Sequence, residues 1–232
     1  MIPIGDDTRR TFPFVVYALI AANVFVFVQE LRAPDTDAFI NAFAAIPYDI
    51  VNGVTLAPPS PPVPALAIVT SMFLHGSILH IGFNMLFLFV FGPAVEYLCG
   101  HVRFLAFYLL CGIAGGIAQI AMSPGSHVPA LGASGAIAGV LGAYLVSYPF
   151  AKISTIVPIV IFPVFLRLPA ILVIGLWAGT QFVTGFGTIS DRAAESQGGT
   201  AYFAHIGGFC AGVIFTALRR VRPRNDMTDI SR

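Results

Sequence analysis

Six stretches of the chain run for eighteen residues or more with at most one charge each: 12–30, 77–98, 102–122, 131–148, 168–186 and 200–218. A hydrocarbon layer about 30 Å thick takes roughly 20 helical residues at 1.5 Å each to cross, so every one of these runs is of spanning length. The expected fold is therefore an all-α polytopic membrane protein with six transmembrane helices. Composition agrees, since 57% of the residues are hydrophobic and 10% charged, where a soluble domain carries about 25% charged.

Two readings compete with a plain six-span count. The first run follows DDTRR, and a paired arginine before an apolar stretch is also how an export signal begins. The run outlasts a usual signal core of about 7–15 residues and no small-x-small cleavage pattern comes after it, so it reads as a span. A seventh apolar run, ISTIVPIVIFPVFL at 153–166, is short for a span and holds Pro158 and Pro163. Its β-branched residues suit an interfacial or re-entrant segment better than a helix.

Charge placement supports six. With six spans, Arg9, Arg10, Arg103, Lys152, Arg167, Arg219, Arg220, Arg222, Arg224 and Arg232 share one side, and Arg32 and Arg192 are left on the other. Basic residues gather on the cytoplasmic side of membrane proteins, so both termini are expected there. A tail at 1–11 and a basic tail at 220–232 then flank one membrane domain at 12–219, in an inner or plasma-type membrane. The arginines are accounted for by topology, which leaves no reason to invoke nucleic acid. Cys99, Cys111 and Cys210 form neither a disulfide framework nor a zinc pattern, and no metal or cofactor is expected.

The longest loop, 31–76, contains APPSPPVPAL at 57–66, whose proline density forbids a regular helix there. It is expected to pack on or in the interface. The Gly-rich loop 185–199 is expected to be the most mobile. Gly112 with Gly116, Gly135 with Gly139 and Gly208 with Gly212 are small-xxx-small pairs that let helices approach closely.

Polar groups inside a membrane are costly and therefore candidates for function. No Asp falls within a span, and Glu30 and Glu96 sit only at span ends, which excludes a two-aspartate protease. Without H-E-x-x-H the common zinc type is excluded as well. His80, Asn84, Ser134 and His205 remain. The second, fourth and sixth spans run in the same direction, so residues near their starts lie at similar depth. Asn84 is four residues after His80 and about 40° around the helix, on the same face. His75 is five residues before His80 and off that face, so the pair is not read as a metal site.

Four polar groups from three helices thus have the means to meet in one pocket. His205 can take a proton from Ser134 and return it to a leaving amine. Asn84, His80 and the free N–H of Ser134 at a helix start can donate to an oxyanion. Gly132 and Gly135 keep Cβ atoms away from an incoming peptide. No acid is placed to orient His205, which makes the set a dyad. Position 136 is alanine, so this is not the G-x-S-x-G elbow of soluble hydrolases.

GASG at 132–135, His80 to Asn84 as HxxxN, and AHIGG at 204–208 followed by Gly212 resemble, in order, the motifs of the rhomboid family of intramembrane serine proteases. The similarity runs from about residue 66 to 219 and implies the family's six-helix bundle. It implies Ser134 as nucleophile, His205 as base, and His80, Asn84 and the Ser134 N–H as oxyanion site, with Gly132, Gly135, Gly208 and Gly212 as structural glycines. Substrates would be membrane proteins cut in or beside a transmembrane segment, reached from the external side, with the fifth helix and loop 185–199 gating entry. Two positions depart from well-known members. Ala138 stands where they have a tyrosine against the histidine, and the first external loop has no Trp-Arg. A rhomboid-like chaperone or binder of transmembrane segments is the alternative, and a small transporter with a midplane site is a weaker one.

Overall fold

The computed structural model describes residues 1–8, 11–55, 57, 59–159, 162–188 and 201–219. The part of loop 185–199 beyond residue 188, the tail 220–232, and Arg9, Arg10 and Arg192 lie outside the described residues.

Five described helices are long and apolar enough to cross a membrane. They are α1 (Phe14–Arg32), α5 (Ile78–Cys99), α6 (His101–Met122), α8 (Ala170–Thr188) and α9 (Tyr202–Arg219). The run expected at 131–148 forms a shorter helix, α7 (Ser134–Ser147), of 14 residues. At 1.5 Å per residue α7 is about 21 Å long, less than the hydrocarbon thickness. Loop 31–76 carries short helices α2 (Thr36–Phe43), α3 (Pro47–Asn52) and α4 (Ala67–Thr70). Among the described residues of its proline-rich part only Pro64–Leu66 makes a single 3-10 turn, because proline supplies the fixed φ of a first helical residue but no donor.

The all-helical expectation needs one correction. Residues 153–159 and 162–166 lie in two antiparallel strands, β2 (Lys152–Ile159) and β3 (Phe162–Pro169), and β1 (Ile2–Asp6) adds to them in the order β1-β2-β3. The segment expected to be a tail at 1–11 therefore contains a paired strand. Ile153, Thr155, Ile156 and Val157 favour extended backbone. The prolines fit at the periphery: Pro158 pairs with Pro163 and lies past Ile156, the last β2 residue that β1 pairs. Two further bonds hold the sheet, from Tyr144 Oη to Asp6 Oδ2 at 2.7 Å and from the Lys152 N–H to Asp7 Oδ1 at 2.9 Å. The sheet thus sits at the end of α7 away from Ser134.

The two buried glutamates among the described residues serve backbone amides. Glu96, 2% exposed, accepts from Val15 and Val16 at 3.0 and 2.8 Å. Those are unpaired donors of the first turn of α1, where Pro13 offers no cap of its own. Glu30, 1% exposed, accepts from the His75 N–H at 3.0 Å. The carboxylates at the span ends are thus structural ties, Glu96 joining α5 to the start of α1 and Glu30 joining the end of α1 to the loop ahead of α5.

The core lies between α5, α6 and α7 and includes Phe91, Phe104, Phe107, Tyr108 and Tyr144, all fully buried. The contact of α7 with α9 is backbone on backbone. A Cβ on Gly208 would overlap the carbonyl oxygen of Gly135, and one on Gly212 would overlap that of Gly139. Such approach excludes any side chain and gives close van der Waals contact in a medium where the hydrophobic effect does not drive helices together.

Gly212→Ala is therefore expected to lower stability by about 1–3 kcal/mol, the cost of overpacking. Gly82→Ala, where nothing lies within 4 Å of the added carbon, should stay within about 0.5 kcal/mol of wild type. Denaturant unfolding of the two variants in the same detergent checks the contrast.

Candidate active site

Four helices contribute to one cavity of about 540 Å³, whose lining includes His80 and Asn84 from α5, Ser134 from α7, Trp177 from α8 and His205 from α9. The four residues expected from the sequence are thus brought together. Ser134 Oγ and His205 Nε2 are 2.7 Å apart, a hydrogen bond of good length.

The position of Ser134 is set by the segment before it. Ala130 pairs in both directions with Ala45 at 3.1 and 2.9 Å, and the Gly132 N–H donates to the Ser71 carbonyl at 2.8 Å. Gly132 has φ +118°, a conformation that a side chain rarely adopts. The chain turns sharply there, and α7 begins two residues later. This is why the apolar run at 131 does not become helix until 134. As the first residue of α7, Ser134 has no carbonyl inside the helix to accept its N–H.

A side chain at Gly132 or Gly135 would meet the protein's own neighbouring helices. A Cβ on Gly132 would lie 2.8 Å from His80 Nε2 and 3.7 Å from Asn84 Nδ2, so its absence makes room for the α5 side chains. A Cβ on Gly135 would face the Ala204 carbonyl at 3.4 Å, a matter of fit between α7 and α9. His80 and Asn84 therefore converge over the backbone just ahead of the serine. Asn84 is buried, and its Nδ2 has no hydrogen-bond partner. A buried amide donor without a partner is costly, and it marks a place that an acceptor can fill.

His75 is nearer to His80 than their spacing suggests. Because it precedes α5 in a loop, its ring reaches the His80 ring edge-on at 5.0 Å. Burial, and secondarily the neighbouring His80, pushes the His75 imidazole down to about 4. It is therefore neutral at pH 7 and packs on His80 without adding a charge.

Sequence reasoning missed the groups that hold His205. Its Nδ1 lies 2.7 Å from Gln181 Oε1, and the Trp177 ring lies beside the imidazole with centroids 5.8 Å apart. Both come from α8. The aromatic neighbour that Ala138 cannot supply from α7 is thus present from another helix. A signal existed: the single tryptophan of the chain and the single glutamine of the run 168–186 are four residues apart and share a helix face. Gln119 on α6 was also missed. Its Oε1 accepts from the Ala204 N–H at 3.3 Å, next to His205.

Comparison with known proteins places the chain in a family. The rhomboid domain matches residues 65–222. The chain is 30% identical over 205 residues to Rhomboid protein 1, mitochondrial, of Saccharomyces cerevisiae, covering 87% of this chain and 52% of that protein. It is 41% identical over 136 residues to the Putative rhomboid protease YdcA of Bacillus subtilis, covering 59% and 63%. It is 49% identical over 78 residues to the Rhomboid protease GluP of the same organism, covering 34% and 15%. The chain thus spans about half the length of the yeast relative and less than two thirds of either bacterial one. With the domain matched over more than half its length, this polytopic membrane protein belongs to the rhomboid family.

Proposed function

We propose that this chain is an intramembrane serine endopeptidase that cuts membrane proteins in or next to a transmembrane segment. The observation that carries the reading is the 2.7 Å bond from Ser134 Oγ to His205 Nε2 in a cavity that also holds the unpartnered Asn84 amide. The names of the two Bacillus relatives, both called rhomboid proteases, favour it. The rest of the cavity lining, including Leu79, Phe83, Phe87 and Leu141, is apolar and suits a stretch of transmembrane chain.

In the first step Ser134 Oγ attacks the scissile carbonyl carbon as its proton passes to His205 Nε2. Charge on the carbonyl oxygen is met by the amide of Asn84, the imidazole of His80 and the Ser134 N–H. The C–N bond then breaks, and His205 gives the proton to the leaving amine. Water, deprotonated by His205, adds to the acyl-serine ester and releases a carboxylate and the free serine. A helical substrate carbonyl is already hydrogen-bonded, so small or helix-weakening residues at the cut lower the cost of unwinding.

In this reading 12–219 is the membrane domain, α7 is a sixth and incomplete crossing, and both termini face the cytoplasm, as the arginine distribution favours. The active site then opens on the opposite, external side, in an inner or plasma-type membrane. The shortness of α7 supports water reaching Ser134, since a helix of 14 residues is too short to reach both membrane surfaces.

The test is turnover of a single-span reporter by protein reconstituted in lipid vesicles, together with labelling by a fluorophosphonate. Ser134→Ala should abolish both while leaving detergent unfolding unchanged, and persistent cleavage would sink the mechanism. Asn84→Ala should slow cleavage by about 10²-fold. Gly132→Ala, which forces a Cβ against His80, should slow it by at least about tenfold through the same oxyanion site.

A further inference from the structure

A histidine base works only if the nitrogen facing the nucleophile is bare and its other nitrogen carries the proton. In soluble serine hydrolases a buried carboxylate enforces that arrangement. No acid was expected at His205 from the sequence, and its Nδ1 is met by the Gln181 amide.

The direction of that hydrogen bond is dictated by the neighbours on α8. Thr180 Oγ1 donates its one proton to the Trp177 carbonyl at 2.6 Å. The hydroxyl can then only accept from Gln181, whose Nε2 lies 3.2 Å away. The amide is thereby oriented with Nε2 toward Thr180 and Oε1 toward His205. An amide oxygen has no proton, so His205 Nδ1 must donate to it. Nε2 of His205 is left bare and accepts from Ser134, as the 2.7 Å contact requires. Trp177, beside the imidazole, limits ring rotation.

We propose that Gln181 is the positioning residue of the general base, with Thr180 setting its amide, so that α8 selects the tautomer that leaves Nε2 bare for Ser134. The inference rests on the peptidase reading and deepens it. An amide suits the setting because a carboxylate there would be an ionised group inside the membrane domain, whereas a neutral oxygen orients the ring without that cost. Its dipole also favours the imidazolium that forms when His205 takes the serine proton.

A merely structural Gln181 would contribute one more hydrogen bond between helices, and its loss would show in stability. A positioning role shows instead in the rate at which the serine reacts. The experiment is fluorophosphonate labelling of the full chain in detergent, resolved into the limiting rate kinact and the half-saturating concentration KI. Wild type, Ser134→Ala, Gln181→Met, Gln181→Glu and Thr180→Val are compared, and unfolding is measured on each.

Gln181→Met removes the acceptor at similar volume and should lower kinact by about 10- to 100-fold with KI unchanged, part of the roughly 10²–10⁴-fold that base catalysis supplies. Gln181→Glu keeps an acceptor and should label far faster than Gln181→Met. Thr180→Val, which releases the amide, should fall between wild type and Gln181→Met. The proposal is overturned if Gln181→Met labels at the wild-type kinact, or if Gln181→Glu, unfolding as wild type does, is as slow as Gln181→Met. If folded wild type does not label, the peptidase reading fails and takes this proposal with it. Labelling lost in Ser134→Ala but kept in Gln181→Met overturns the role of Gln181 alone.

Discussion

The backbone contact between α7 and α9 is the feature on which the rest of the site depends. Gly208 comes one helical turn after His205, and Gly135 directly after Ser134, so the meeting of Gly208 with the Gly135 carbonyl sets the distance between hydroxyl and imidazole. Gly212 against Gly139 repeats the contact about one turn further along and fixes the crossing. Hydrogen bonds at a helix interface in lipid contribute modestly, about 1 kcal/mol each, and a packing of glycine on carbonyl tolerates no addition. Alignment of the hydroxyl and the imidazole is thereby assigned to the closest-packed feature of the bundle.

Around this contact, the buried polar groups divide the work. The buried side chains of Glu30 and Glu96 both accept from backbone amides, which ties helix ends and loops together. The groups that meet in the cavity are a hydroxyl, imidazoles and amides, none of which must be ionised at rest. Burying such groups is less costly than burying charge, and the low dielectric makes each of their hydrogen bonds count for more.

The order of legibility in the sequence tracks the range of the interactions involved. Ser134 between glycines, and His80 with Asn84 one turn apart, are local patterns, and a span topology alone puts them at one depth. The start of α7 was less legible, because hydropathy continues through Leu131 while the backbone turn at Gly132 does not show in it. The Gln181 bond was passed over because an uncharged residue in a span attracts no attention until its partner is known. The β-branched run at 153–166 announced extended backbone, but β1 depends on pairing with residues about 150 positions away and has no local signature.

That pairing also bears on the order in which the molecule can be assembled. Ile2 faces Ile156, so the first strand emerges from the ribosome long before its partner exists. At 5–20 residues per second the interval is roughly 8–30 s. Throughout that time α1 can already lie in the bilayer while residues 2–6 wait unpaired beside it. The Tyr144 and Lys152 bonds to Asp6 and Asp7 close only when α7 and the two strands have been delivered to the same side. The opening residues of the chain thus act as a late clasp, drawn shut over helices synthesised after them.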